Sequence, residues 1–291
     1  MNDDEVLSGL RAYPLARRGL MMSGLMTGLT LATTRVEAQA IHTDAEGIEV
    51  GEVKIPEADT DLPGYFARPL GDGPFPIVLV NEEVFGLHEY IRDVCRRLAK
   101  VGYLAVAVEI YARDGDLSKA TDQAAINAIV AKEPDARVMT DLDGALKWAA
   151  ANKGDASRMA TTGFCAGGRV TWLYAAHNPN LKAAVAWYGP IMGAQTDLKP
   201  NRVIDIADQI LCPVLGLYGG RDNFAKLSDA LAAAAKARAA SKIVEIIEYP
   251  DAPHGFHADY RPSYHAADAA DGWQRMLQWF AAYGASVGVS L

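Results

Sequence analysis

From Pro76 to the C-terminus, short apolar runs alternate with stretches whose apolar residues recur at helical spacing. PIVLVN (76–81) and YLAVAVEIY (103–111) are continuous apolar runs of the kind buried on both faces of a sheet. RMATT (158–162), 183–188, 214–218 and KIVEIIEY (242–249) read as further strands. Helical patterns fall between them at about 90–101, 118–131, 136–151, 170–177, 224–240 and 264–283. In the first, Ile91, Val94, Cys95 and Leu98 share a face and Gly102 ends the helix; Glu133-Pro134 splits the second from the third. Such alternation restricts the chain to an α/β architecture, a mostly parallel central sheet with helices on both faces. Ligands of such sheets bind at the carboxyl ends of the strands. Upstream, GIEVGEVKIPE and PGYFARP alternate in β fashion and predict an antiparallel pair leading into the sheet.

Of the 291 residues, 50% are hydrophobic and 22% charged, with no repeat, low-complexity linker or composition shift after residue 41. One domain over 41–291 is expected. Residues 1–40 differ in kind. Arg17-Arg18 precede a short apolar stretch, 20–32, which leads to Ala38-Gln39-Ala40. That order is a positive region, a short hydrophobic region and an A-x-A cleavage site, and the paired arginines suit the Tat route of export. The stretch is too short to span a bilayer, so a periplasmic or otherwise exported mature chain without a membrane span is expected. The bland alternative is an N-terminal tail of a cytoplasmic protein.

The formal net charge is −8 and no basic run occurs, which disfavours nucleic acid and anionic membranes as partners. Cys95, Cys165 and Cys212 are odd in number and far apart. They form neither a disulfide framework nor a metal-ligand spacing, and no metal or organic cofactor is expected. Cys95 and Cys212 read as core, as does the pair Trp279-Phe280. His88, His177, His257 and His265 have no partner that the sequence identifies.

TTGFCAGGRV, 161–170, puts Cys165 at a strand–turn–helix junction. This is the context of a nucleophile elbow, G-x-S-x-G, with cysteine in place of serine. Side chains at Gly163 or Gly167 would collide with neighbouring backbone in so sharp a turn. The helix behind it favours the thiolate and offers the Ala166 amide to an oxyanion. A buried cysteine in a tight turn is an equally good reading of this motif alone. Two later loops tip the balance. VLGLYGGRD places Asp222 just past one strand, and YPDAPHGF places His254 just past the last. Each has a bland role, Asp222 as a helix cap and His254 as a turn residue. The order nucleophile, acid, histidine at three strand ends is that of the α/β-hydrolase triads.

With these residues placed, the chain resembles the dienelactone hydrolase (carboxymethylenebutenolidase) family of α/β-hydrolases over roughly residues 50–285. The matching pieces are NEEVFGLHEYIRDVCRRLAKVGYLAVAVEIYAR, GFCAGGR, AWYGP, GLYGGRD and PDAPHGFH. The resemblance implies further roles: Glu83 as a carboxylate beside the thiol that takes its proton, and Val84 as a second oxyanion amide. It also implies that Arg113 holds a substrate carboxylate and that Tyr188 lines the pocket. The bland reading of Glu83 is a surface acid or a partner for Arg92; that of Arg113 is an ion pair with Asp114 or Asp116. The sequence departs from the family pattern at Ala258, where a second carboxylate-gripping arginine is expected, with Arg261 nearby but out of register. It departs again at Glu109, where the pattern has aspartate, and at Glu82, which would make the mouth more negative. The expectation is a hydrolase of a small lactone or ester acting through Cys165, His254 and Asp222. The rivals are a cysteine amidotransferase, disfavoured because the late histidine reads H-G-F rather than H-x-E, and a non-catalytic hydrolase-like binding protein.

Overall fold

The computed structural model describes residues 41–120 and 122–287. The signal-like features at 1–40 lie outside the described residues. Eight strands form one sheet: β1 (Ile48–Pro56), β2 (Asp61–Pro69), β3 (Phe75–Asn81), β4 (Leu104–Val108), β5 (Gly154–Phe164), β6 (Ala183–Trp187), β7 (Val214–Gly219) and β8 (Val244–Tyr249). Their spatial order is β1-β2-β4-β3-β5-β6-β7-β8. β1 pairs antiparallel with β2 and β2 with β4, while every pairing from β4 to β8 is parallel. The alternating segments thus make the antiparallel edge, and the apolar runs make the buried parallel sheet. Ile77, Val78, Leu104, Val106 and Val185 are wholly buried, each worth about 1.5–3 kcal/mol relative to exposure.

Seven α-helices are present among the described residues: α1 (Glu89–Lys100), α2 (Gln123–Val130), α3 (Asp135–Ala151), α4 (Ala166–His177), α5 (Val203–Ile206), α6 (Leu227–Ala239) and α7 (Ala266–Ala282). The helix α1 packs on β2, β3 and β4, whereas α3 to α6 touch one another in succession along the sheet. The strand order reverses at β3: the chain first steps to β4 on one side, then crosses to β5 on the other. With right-handed crossovers, that reversal puts α1 and α3 on opposite faces and opens a crevice between the carboxyl ends of β3 and β5. The segments that end there are Asn81-Glu82-Glu83-Val84 and Phe164-Cys165-Ala166.

Some boundaries differ from expectation. The helix expected from 118 begins at Gln123, where Asp122 accepts a hydrogen bond from the Ala125 amide at 2.8 Å. The helix expected from 224 begins at Leu227, because the Asp222 carboxylate draws the amides of Phe224 and Ala225 into a turn, both at 2.8 Å. The strand expected to end at 111 stops at Val108, and that at 158–162 extends over 154–164. The short α5 was not expected. No helix among the described residues is long and apolar enough to cross a membrane.

Candidate active site

Cys165 sits between β5 and α4 with φ 54° and ψ −116°, a conformation that costs a non-glycine residue on the order of 1–2 kcal/mol. Its surroundings hold it there. A Cβ on Gly163 would stand 2.3 Å from the Gly167 carbonyl oxygen, and one on Gly167 2.2 Å from that of Asn81. The elbow therefore lies directly on the end of β3. Asn81 fastens it by donating to Thr161 Oγ1 and Thr171 Oγ1, at 3.0 and 2.9 Å. Thr171 in turn donates to the Gly167 carbonyl at 2.8 Å. Ala166 becomes the first residue of α4, and Val84 lies in the loop that Gly167 abuts.

His254 Nε2 is 3.2 Å from Cys165 Sγ, and its Nδ1 is 2.7 Å from Asp222 Oδ2. The second oxygen of Asp222 accepts the Phe224 and Ala225 amides. Asp222 thus does both things the sequence allowed, one oxygen pinning its own turn and the other orienting the imidazole. Burial alone would discharge His254; the sulfur on one nitrogen and the carboxylate on the other outweigh it and hold its pKa up at about 10. Tyr188 and Phe224 pack edge-on against the imidazole, each with ring centroids 5.1 Å away. Tyr188 is fully buried, whereas Phe224 is 58% exposed and offers an apolar wall beside the triad.

Glu83 is wholly buried. Tyr260 donates to its Oε2 at 2.5 Å, His88 Nε2 lies 3.5 Å from the same oxygen, and Arg261 Nη2 lies 3.3 Å from Oε1. Burial pushes this carboxyl up, but Arg261 and the hydrogen bonds reverse that and bring it down to about 2. The Arg261 guanidinium also stacks over the Phe85 ring, 4.9 Å from its centroid, and its charge acts on Cys165. Arg92, offered as a partner for Glu83, instead pairs with Glu52.

Arg113 is not brought to this cluster. Its Nη1 and Nη2 meet Asp141 at 2.8 and 3.0 Å, and its Nε and Nη2 meet Asp59, both at 2.9 Å. Neither Asp114 nor Asp116 is among those partners; Asp114 pairs with Arg137. The cation beside Glu83 and Cys165 is Arg261, set aside in the sequence because it is three positions beyond Ala258. Ala258 is itself packed in the core. The loop after β8 makes a turn, with Arg261 N donating to Ala258 O at 3.0 Å, and this swings Arg261 back over the site. Tyr260 was missed for the same reason. Glu82 does not face the mouth: it is 1% exposed, its Oε1 accepts from the Ile110 amide at 3.1 Å, and burial beside Glu109 pushes its carboxyl well up.

The remaining histidines all have partners. His257 Nδ1 is 2.6 Å from the Tyr90 hydroxyl, and burial holds it neutral, at about 3. His177 meets Asp143 and His265 meets Asp268. Cys95, Cys212, Trp279 and Phe280 are core. One group of metal-type side chains occurs among the described residues, His42, Glu89 and Asp93, far in sequence from the triad and with two of its members exposed. Its buried member, Asp93, is already bound by Thr43, Arg96 and Arg97.

A parallel sheet with a strained elbow at its switch point, a histidine loop after the last strand and an acid loop before it defines an α/β-hydrolase. The comparisons narrow this. The model of the dienelactone hydrolase family matches residues 62–284. A Methylorubrum extorquens protein named "Putative carboxymethylenebutenolidase" is 51% identical over 273 residues, covering 93% of this chain and 94% of its own. An Escherichia coli K12 protein of the same name is 49% identical over 266 residues, 91% of this chain and 98% of its own. The crystal structure titled "Putative Dienelactone Hydrolase" from Klebsiella pneumoniae superposes with a TM-score of 0.79 at 52% identity, covering 81% of this chain and 99% of its own. The chain belongs to the dienelactone hydrolase family, a family of lactone and ester hydrolases.

Proposed function

We propose that this protein hydrolyses a small lactone or carboxylic ester through a Cys165–His254–Asp222 triad and an acyl-thioester. The observation that carries this reading is the continuous line from Sγ to Nε2 at 3.2 Å and from Nδ1 to Oδ2 at 2.7 Å, at an elbow strained to φ 54°. With His254 protonated, the sulfur is the nucleophile. It attacks the carbonyl carbon, and the amides of Ala166 and Val84 receive the oxyanion. The carbon–oxygen bond breaks, and the departing oxygen takes the His254 proton or, in a lactone whose product is an enolate, keeps its charge. Water then adds to the thioester and loses its proton to neutral His254 or to the enolate. The thiolate leaves and the acid is released. Glu83 would take a proton from the thiol form of Cys165 once its pairing with Arg261 is broken.

Arg261 supports an anionic substrate. It is the cation next to Glu83, and an incoming carboxylate would compete for it, freeing Glu83 for the thiol. Tyr188 and Phe224 would form the walls of the site. The reaction needs no metal or organic cofactor. The signal-like residues 1–40 support export of the mature chain as part of the same reading.

The test follows loss of a dienelactone by ultraviolet absorbance, beside a neutral aryl ester, for the parent and Cys165→Ala. Consumption of the lactone by the parent alone is the expected result. Cleavage of only the neutral ester would keep the mechanism and remove the anionic substrate. Equal activity of parent and variant would return Cys165 to a packing role.

A further inference from the structure

Two glutamates that the triad chemistry does not use cross-brace the floor of the site. Glu82 directly follows β3 and Glu109 directly follows β4, and the two strands are adjacent and parallel. Glu82 Oε1 accepts from the Ile110 amide at 3.1 Å, in the segment after β4. Glu109 Oε2 accepts from the Leu87 amide at 2.7 Å, in the loop after β3. Each carboxyl therefore reaches across to the other strand's exit. The loop presses closely on Glu109: Gly86 has φ 75°, and a Cβ there would stand 2.4 Å from Glu109 Oε2.

The remaining oxygens, Glu82 Oε2 and Glu109 Oε1, are both buried and lack any other partner. The parallel register Leu79 to Val106 carries positions 82 and 109 out of the sheet side by side, and the two carboxyls act directly on each other. With both groups ionised neither oxygen has a donor, and two negative charges meet in a dry site. One proton between them gives each a partner and removes one charge.

Among the described residues, no cation pairs with either carboxyl. Tyr111 and Glu133 act on Glu82 or lie beside it, and both are buried. Arg137, the cation next to Glu133, is taken by Glu133 and Asp114. Glu83 follows Glu82 directly and has its own cation in Arg261. Burial pushes Glu133 up to about 7 as well.

We infer that Glu82 and Glu109 share one proton and by it lock the 83–87 loop, which carries Glu83 and Val84, against β4, a latch that loosens when the proton is lost. Both are positioning residues. Their effect on catalysis rests on the proposed hydrolase reading; the latch itself does not.

Glutamine at position 82 supplies permanently a hydrogen-bond donor, its N–H, where glutamate supplies one, its O–H, only while protonated, in nearly the same volume. Leucine supplies none. The sign of the pH effect follows from the raised folded-state pKa of Glu82. Its contribution to stability is fully present below the ordinary carboxylate value of 4.5 and is lost as pH rises through the folded value.

The experiment measures thermal unfolding midpoints from acid to alkaline pH, with amide protection at Leu87 and Ile110, for the parent, Glu82→Gln and Glu82→Leu. The midpoint of Glu82→Gln is expected to match the parent in acid and to pull ahead steadily as pH rises, and the parent's protection factors at Leu87 and Ile110 to fall where those of the variant hold. In steady-state assays, kcat of Glu82→Gln is expected to stay within about twofold of the parent at neutral pH and its ratio to the parent to grow with pH. Glu82→Leu is expected to lose about tenfold or more in kcat, as for an orphaned buried carboxyl, with a smaller change in KM. Parallel unfolding curves for the parent and Glu82→Gln would overturn the shared proton. Parent-like kcat and protection in Glu82→Leu would overturn the latch. If the parent cleaves no ester, the hydrolase reading falls, while the unfolding and exchange data still decide the acid pair.

Discussion

Arg261 reaches back from the loop after β8 to place Nη2 3.3 Å from Oε1 of the fully buried Glu83. This pair joins the histidine loop to the loop that carries Val84, and it puts the site's cation where an anionic substrate would meet it. Replacing Arg261 by Gln leaves Glu83 with Tyr260 and His88 only. The expected result is a fall of about 10–100-fold in kcat/KM for a carboxylate-bearing lactone, the range for losing a charged hydrogen bond, carried mainly by KM. A neutral ester should lose much less. Parallel assays on the two substrates check it.

The same pair sets an acid limit on stability. The Glu83 carboxyl is held at about 2, below its ordinary 4.5. Its stabilisation is therefore complete above about 4.5 and is lost as pH falls toward 2, a contribution of roughly 3 kcal/mol. Glu83→Gln should unfold more easily than the parent at neutral pH, and the gap should close on acidification. Thermal melts at a series of pH values below 6 would reveal it.

Much of this was legible in the sequence, because strand ends in a parallel sheet have fixed positions. Cys165, Asp222 and His254 could be assigned to one edge of the sheet because each lies within a few residues of a strand's carboxyl end. Arg261 and Tyr260 could not. They act through a turn seven residues past His254, and no periodicity describes how such a turn folds back. Arg113 shows the converse: its position after β4 was readable, but its partners Asp59 and Asp141 come from elements 54 and 28 residues away. Glu82 was misplaced because adjacent residues leaving a strand point to opposite sides, and sequence alone does not say that Glu82, on the side away from the thiol, is covered by the segment after β4.

Labelling separates the three cysteines. Burial pushes the Cys212 thiol up to about 12 and that of Cys95 higher still. Iodoacetamide on the folded protein should therefore modify Cys165 alone. The imidazolium beside its sulfur persists up to about pH 10. His254→Gln removes that cation and should slow alkylation of Cys165 at neutral pH by about tenfold or more. Peptide mass mapping after timed labelling reads both outcomes.

Arg113 should matter to folding rather than to the substrate. Its guanidinium bridges Asp141, whose side chain is 1% exposed, and the more open Asp59. Arg113→Ala leaves Asp141 buried and unpaired, at a cost of about 3–5 kcal/mol. KM for an anionic lactone should stay near the parent's value for the fraction that folds. A rise in KM with unchanged stability would return Arg113 to the binding site.

The elbow makes the sharpest steric demand. A Cβ at Gly167 would stand 2.2 Å from the Asn81 carbonyl oxygen and 2.5 Å from that of Glu82, both fixed backbone atoms. Neither can rotate aside, so Gly167→Ala must move α4 away from β3 or push the 82–84 segment outward. The cost should be about 3 kcal/mol or more, and the folded remainder should lose activity because Val84 and Glu83 move with the loop. Gly193→Ala is the matched control, with nothing within 4 Å of its added Cβ, and should stay within about 0.5 kcal/mol of the parent. Urea unfolding of both variants, with activity measured on the folded fraction, makes the comparison. Equal stability of the two would mean that the elbow does not rest on β3 as closely as the structure places it.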